Sequence, residues 1–254
     1  MIGRKGAAAE GEPGLLAQDW ISRHRGVWET KAALRSYYET EIFERIRAHL
    51  GPGRVLELGT GPGFFSRYRP GMITSDISPA PGTLLAADAH ALPFPDASFD
   101  AIAGVDVLHH FAAPGTALSE AGRVLRHGGR LVLVEPWTGP VGTLFYRYLH
   151  HEDCYPLPDP WHTAFAPGKA PMDGNAWIPR ALLVDEPDRL RSQASLRLVH
   201  RETFGAVSFL LTGGFQPFGA PRALVRAAIA AEQSLWPRLR DWLCLRVLYV
   251  AERL

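Results

Sequence analysis

The chain has 254 residues, 46% of them hydrophobic and 21% charged, enough apolar material for one large domain with an ordinary globular balance. Its 27 basic and 26 acidic residues leave a net charge of +1 and are mixed along the chain, without the basic run that marks a nucleic-acid or anionic-membrane surface. Two lone cysteines, Cys154 and Cys244, make neither a disulfide framework nor a zinc motif, no apolar run reaches about 18 residues, and no apolar leader core follows the first residues. A cytoplasmic protein with no stable membrane insertion is the expectation.

Residues 1–13, small, charged and rich in Gly and Pro, are expected to be a disordered tail, ahead of one domain over 14–254. Residues 14–50 should form an N-terminal helical cap, with a short helix over 15–25 and a longer one over 31–50. In the longer one Leu34, Tyr38, Ile42, Ile46 and Leu50 recur every four residues, and Gly51-Pro52-Gly53 stops it. From 51 to 136 strands are predicted at 55–58, 71–75, 83–87, 99–105 and 129–134, with helices beginning near Gly63 and spanning 114–125. Strands separated by helix-length connections predict parallel βαβ units and a Rossmann-like, doubly wound, mostly parallel sheet of seven strands. Periodicity is lost after Pro136. A helix over 142–149 is followed by a stretch rich in Pro, Trp, His and Asp, so 137–195 is expected to be a long lid between strands five and six. Residues 196–254 should close the fold with a strand at 196–202, an apolar run at 209–215, a helix over 222–239 and a last strand at 243–252.

The chemistry concentrates in 54–66, RVLELGTGPGFFS. A buried strand runs into Gly59, Gly61 and Gly63 and then a helix, the order that lets a ligand approach the backbone and a helix start. Pro62 suits the first turn of that helix. A dinucleotide turn wants G-x-G-x-x-G; here the spacing is G-x-G-x-G, with Phe64 where the last glycine would stand. Glu57 inside the strand suits a ligand with a positive amino group and is out of place against pyrophosphate. Asp76 ends the second strand, where a carboxylate can accept both ribose hydroxyls, and Asp88 ends the third, within reach of an adenine amino group. Together these acids suggest an adenosine ligand with a cationic tail.

VLELGTGPGFFS, SDIS, AADAHALPFPDASFDAIAGVDVLHHF and RVLRHGGRLVLVEP, in that order over residues 50–136, resemble the class I S-adenosylmethionine-dependent methyltransferases, and more narrowly the ubiquinone/menaquinone C-methyltransferase subgroup. The resemblance implies S-adenosylmethionine as cofactor and S-adenosylhomocysteine as product. It also implies Glu57, Gly59 and Gly61 at the methionine moiety, Asp76 at the ribose with Ile77 against the adenine, and Asp88 and Ala89 at the adenine amino end. Val105 and Asp106 would line the sulfonium side. His109 and His110 follow the fourth strand and are the candidate general bases, should the acceptor need deprotonation. Glu135 ends the fifth strand, where it would hydrogen-bond an acceptor or cap the loop. No metal is expected: in His150-His151-Glu152-Asp153-Cys154 neighbouring residues point in different directions, and no ligand spacing supports a site.

The expected activity is methyl transfer to a small, hydrophobic or aromatic molecule, with Trp137, Tyr146, Tyr148, Trp161, Phe215 and Phe218 as candidate pocket walls. Nucleic acid is not an expected substrate, since Val105-Asp106-Val107-Leu108 stands where an amino-methylation motif would be. The alternatives are a cofactor-binding scaffold without transfer, and a nicotinamide-dependent oxidoreductase, which the glycine spacing and Glu57 disfavour.

Overall fold

The computed structural model describes residues 17–78, 80, 82–163 and 173–254. The tail expected at 1–13 lies outside them.

The N-terminal cap begins with α1 (Ala17–Thr30) and continues through α2 (Ala32–Tyr37), a π-helical segment (Tyr38–Phe43) and α3 (Glu44–Leu50). The π segment explains the four-residue apolar period. Each step of four overshoots a 3.6-residue turn by about 40°, so the stripe would drift around a straight α-helix. One wide turn absorbs part of that drift, and Leu34, Tyr38, Ile42, Ile46 and Leu50 all end up buried.

The Rossmann-like half follows: β1 (Val55–Leu58), α4 (Phe64–Tyr68), β2 (Ile73–Asp76), the two-residue β3 (Leu85–Ala86), β4 (Phe99–Val105), α5 (Pro114–Val124) and β5 (Leu125–Pro136). Next come α6 (Pro140–Tyr148), α7 (Ile178–Arg180) with a π turn (Ala181–Asp185), α8 (Pro187–Ala194), β6 (Leu196–Phe204), α9 (Val207–Thr212), α10 (Arg222–Gln233), α11 (Pro237–Leu243) and β7 (Arg246–Arg253). The seven strands lie in the order β3-β2-β1-β4-β5-β7-β6. All pairs are parallel except those of β7, which runs antiparallel to both β5 and β6. The chain winds one way from β1 to β3 and the other way from β4, so the carboxyl ends of β1 and β4 border the crevice where open α/β sheets take ligands.

Side chains alternate between two core layers with the strand period. Leu56, Leu58, Ile102, Leu131, Leu133 and Tyr249 face α5 and α8, whereas Val55, Ala101, Ala103, Val132, Val134 and Leu248 face the N-terminal helices.

Several local expectations are corrected. Pro62 is not in the first helical turn: α4 starts at Phe64, and its cap is Gly63 with φ 78°. The apolar run at 209–215 is mostly the end of a helix, stopped at Gly213 with φ 67°. The helix expected over 222–239 is two, because Pro237 starts a new one after a break at Ser234–Trp236. The stretch expected as a lid divides. Ile178, Leu182, Leu183 and Leu190 are buried in the first core layer, so its later part is a structural layer of the sheet. Trp137, Tyr146 and Trp161 are buried too, with Trp137 Nε1 donating to the Asp241 carbonyl at 2.8 Å and Tyr146 Oη to the Leu245 carbonyl at 2.7 Å. They are core rather than pocket walls, while Tyr148 and Phe218 are exposed.

Candidate functional site

The turn after β1 is built on three left-handed glycines, Gly59, Gly61 and Gly63. Gly59 is required sterically as well, since a Cβ there would overlap Val107 Cγ1. A Cβ on Gly61 would meet only the Gly59 carbonyl and the Trp20 ring, each at 3.9 Å, so open space lies over its backbone. Asp76 organises the turn from β2. Its Oδ2 accepts the Gly61 N–H at 2.8 Å and its Oδ1 the Ser78 N–H at 2.9 Å. Thr60 ties the same turn to the Ser75 carbonyl through its N–H, 3.0 Å, and its hydroxyl, 3.2 Å.

Glu57 is buried just below, and its Oε2 has no hydrogen-bond partner. Burial pushes its carboxyl up to about 8; Thr60 lowers it in part, and the Asp76 charge raises it further. Ile77, directly after Asp76, is an aliphatic side chain left 64% exposed at the same strand end. Asp88 is bonded locally, accepting the His90 N–H at 2.9 Å and meeting its Nδ1 at 2.5 Å, and Ala89 lies in the same short turn. The small desolvation of Asp88 raises its pKa, but those His90 bonds outweigh it and the net shift is downward.

The N-terminal cap closes over the glycine turn. Arg25 Nε donates to the Pro62 carbonyl at 3.0 Å. Trp28 stacks on Phe64 at 4.0 Å and 8°, and His24 bridges Trp20 at 4.0 Å to Phe215 at 4.3 Å. Phe215 belongs to the double-glycine loop, which Lys31 pins by donating to the carbonyls of Gly214, Gln216 and Phe218 at 2.6, 2.9 and 2.8 Å.

A second group of polar side chains gathers at the ends of β4 and β5. Val105 is half-buried, and Asp106 leaves β4 with φ 55°, a strained conformation for a non-glycine residue that functional sites tend to hold. Arg246 of β7 meets Asp106 Oδ1 at 2.6 Å as an ion pair without hydrogen-bond alignment, while 30% of the Asp106 side chain stays exposed. Burial raises the Asp106 pKa and Arg246 opposes it. Glu135 is fully buried at the end of β5. Its Oε1 accepts the N–H groups of Val107 and Leu108, at 3.0 and 2.8 Å, and its Oε2 lies 2.5 Å from His109 Nδ1.

Glu152 approaches from the segment after α6. Its carboxylate is 3.4 Å from His109 Nε2 and 3.5 Å from His110 Nε2, with His150 Nδ1 at 3.6 Å and His151 Nε2 at 3.8 Å. Burial alone would lower the His109 pKa, but Glu135 and Glu152 outweigh it and hold it at about 10. His110 is the reverse: burial and the neighbouring His109 charge push it down to about 3. Burial would raise Glu135 and Glu152, and the facing histidines lower both.

The methyltransferase-domain family model matches residues 56–133, the stretch that carries the glycine turn, Asp76, Asp88, Asp106 and both histidines His109 and His110. A demethylmenaquinone methyltransferase of Deinococcus radiodurans is 32% identical over 186 residues, covering 64% of this chain and 73% of that protein. The chain belongs to the class I S-adenosylmethionine-dependent methyltransferases. A Thermus thermophilus demethylmenaquinone methyltransferase is 37% identical over 120 residues, 38% of this chain and 54% of that one. A solved S-adenosylmethionine-dependent methyltransferase from Archaeoglobus fulgidus shares the fold, with a TM-score of 0.54 at 16% identity over 91% of this chain and 99% of the other.

The methyltransferase therefore uses S-adenosylmethionine, and the residues present fit it. An orphaned buried carboxylate oxygen, an exposed aliphatic side chain and an open glycine backbone adjoin one another along the β1–β2 edge. Residues 105–110 lie at the next strand end. Of the pieces sequence reading missed, Arg246 looks like an ordinary strand residue and Lys31 like a helix-surface cation. Glu152 was visible only as part of a local histidine run. Nothing in the spacing joins it to His109 and His110, some forty residues earlier.

Proposed function

We propose that this methyltransferase alkylates a small apolar or aromatic molecule held between the β4–β5 strand ends and the ring wall of α1 and the 213–218 loop. The observation that carries the reading is that wall, in which His24 lies between Trp20 and Phe215 and Trp20 borders Gly61. Flat, polarisable surfaces of this kind favour a flat apolar partner. The relatives from Deinococcus and Thermus, which act on demethylmenaquinone by name, agree with it.

Bound S-adenosylmethionine supplies a sulfonium methyl already activated for displacement. The remaining work is alignment. Glu57 would take the ammonium group of the methionine moiety, satisfying its unpaired oxygen. Asp76, braced by the Gly61 and Ser78 N–H groups, would keep lone pairs for the ribose hydroxyls, and Ile77 and Ala89 would border the adenine with Asp88 at its amino end. Val105 and Asp106 would line the transfer direction. His109 and His110 are the candidate general bases of the sequence reading, and their environments differ. Glu135 and Glu152 raise the His109 pKa to about 10, while burial and the His109 charge push His110 down to about 3. Their part in this reading is to hold a polar group of the acceptor.

Calorimetry with S-adenosylmethionine and NAD, followed by detection of S-adenosylhomocysteine across a panel of phenols, hydroquinones, amines and carboxylates, tests it. Turnover with ring acceptors is expected. Turnover confined to amines or carboxylates would overturn the choice of acceptor, and preferential NAD binding would overturn the roles given to Glu57 and Asp76.

A further inference from the structure

We infer that His109, His110 and Glu152 form a binding site for a divalent transition-metal ion such as Zn(II), beside the methyl-transfer crevice. Two imidazole nitrogens and a carboxylate are a donor set for zinc and its neighbours rather than for magnesium or calcium. Three groups of possible ligands occur among the described residues, and local geometry separates them. In the group of Asp106, His109 and Glu135, Asp106 is drawn to Arg246 and Glu135 is occupied by two backbone N–H groups. In the group of His150, His151 and Glu152, His151 is exposed, and His150 Nδ1 already accepts the Glu152 N–H at 3.3 Å. The third group, His109, His110 and Glu152, has one buried and two part-buried members and is braced.

Three features mark that group as a built site. The first is spacing. His109 Nε2 and His110 Nε2 stand 3.4 and 3.5 Å from the Glu152 oxygens. Charge-assisted hydrogen bonds close to about 2.7–2.9 Å, whereas these contacts are longer, and one ligand atom from each of the three residues lies within 4.8 Å of the other two. The second is ring orientation. Glu135 holds His109 by Nδ1, and the Asp173 carbonyl faces His110 Nδ1 at 3.3 Å, so both rings turn Nε2 toward Glu152. A buried carboxylate behind a histidine is the usual outer support of a metal-ligating ring.

The third feature is the way the two distant segments are clasped. The Asn175 N–H donates to the His109 carbonyl at 3.0 Å, Asp153 N–H to the Gly174 carbonyl at 3.2 Å, and Ala176 N–H to the Asp153 carbonyl at 2.9 Å. Gly174 gives the rings room, since a Cβ there would come within 2.8 Å of His109 and 3.0 Å of His110. The clasp holds Glu152 against the histidines whether or not acceptor is present. Three protein ligands leave a fourth tetrahedral position for water or an oxygen of the acceptor. That last use rests on the methyl-transfer reading; the metal site itself does not.

The test is metal binding by the full chain, without cofactor or acceptor. Protein stripped with a chelator is titrated with Zn(II) by calorimetry and with Co(II) by absorption. One equivalent of Zn(II) and the intense visible bands of tetrahedral Co(II) are expected. Glu152→Gln and His110→Ala should each weaken Zn(II) by more than about a hundredfold, and Glu135→Gln, which changes only the outer support, by about 10–100-fold. His162→Ala, at an exposed ion pair elsewhere, should bind as the parent does. S-adenosylmethionine affinity measured on the same proteins serves as the folding control and separates this proposal from the cofactor reading. Stoichiometric binding undiminished in Glu152→Gln and His110→Ala, or no stoichiometric Zn(II) binding by the parent, would overturn the site.

Discussion

Glu57 is a carboxyl group placed where its charge is costly until a cation arrives. Its folded pKa of about 8 lies well above the ordinary value of 4.5, and burial is the main cause. For a group shifted upward, the protonated folded state is favoured, so stability is lost as pH rises between the two values and is fully lost above about 8. Glu57→Gln removes that loss. In the cofactor-free protein the variant should gain thermal stability over the parent between pH 5 and 8, by at most about 1.4 kcal/mol per pH unit, with no further gain above 8. Its S-adenosylmethionine affinity should fall by about 2 kcal/mol for want of the charged partner. Calorimetry at pH 7 in buffers of different ionisation enthalpy should show one proton released on cofactor binding by the parent and none by Glu57→Gln. Equal stabilities across the pH series would mean that the carboxyl is not perturbed, and equal affinities would remove it from the site.

The two loops that shape the crevice depend on different physics. Gly59 and Gly61 share the left-handed conformation, but only Gly59 faces a neighbour, Val107, that a side chain would strike. Gly59→Ala should therefore cost about 2–4 kcal/mol of stability, from overpacking added to backbone strain. Gly61→Ala should cost about 1 kcal/mol, from the backbone alone, and lose cofactor binding while remaining folded. Melting curves paired with binding isotherms distinguish the two, and matching losses at both positions would contradict this division. The 213–218 loop is anchored at Phe215, which packs on His24, Tyr38 and Phe64, and its backbone is pinned by the Lys31 ammonium. Lys31→Met should lower stability by about 1–2 kcal/mol and expose the Gly213–Gly214 backbone to limited proteolysis; cleavage at the parent's rate would show that the loop is held otherwise. This element scale is where sequence reading was strongest and weakest. β1 and β4 are buried runs bounded by turn residues, and their limits were legible to the residue. The clasp of Lys31 on a loop more than 180 residues away was not, because three carbonyl acceptors carry no side-chain signature.

At the scale of the whole molecule, the chain crosses from one half of the sheet to the other and returns. The returning strand, β7, runs antiparallel between β5 and β6 and delivers Arg246 behind Asp106. The alternation of strands and helices up to Pro136 made the first five strands and their acids readable, since each acid stands where an apolar run ends. The histidine–carboxylate cluster and the Arg246 pair were not readable, because each joins segments that only the closed sheet brings together. Arg246 is 4% exposed, and its positive charge is held by Asp106 with the phenols of Tyr38 and Tyr146 nearby and the Phe209 ring 5.3 Å from its guanidinium carbon. Removing one partner of such a pair strands the other charge. Asp106 keeps part of its side chain open, so the penalty should be below that of a sealed pair: Arg246→Met is expected to cost about 2–3 kcal/mol. Adding Asp106→Asn should restore some of that stability, because no charge is then left unpaired. The double variant should lose turnover and bind S-adenosylmethionine more weakly than the parent, since the proposed function puts Asp106 on the sulfonium side. Denaturant melts of the two single variants and the double variant decide the matter. Additive losses would mean that Arg246 stabilises the strand by packing alone and does not hold Asp106 in its strained conformation.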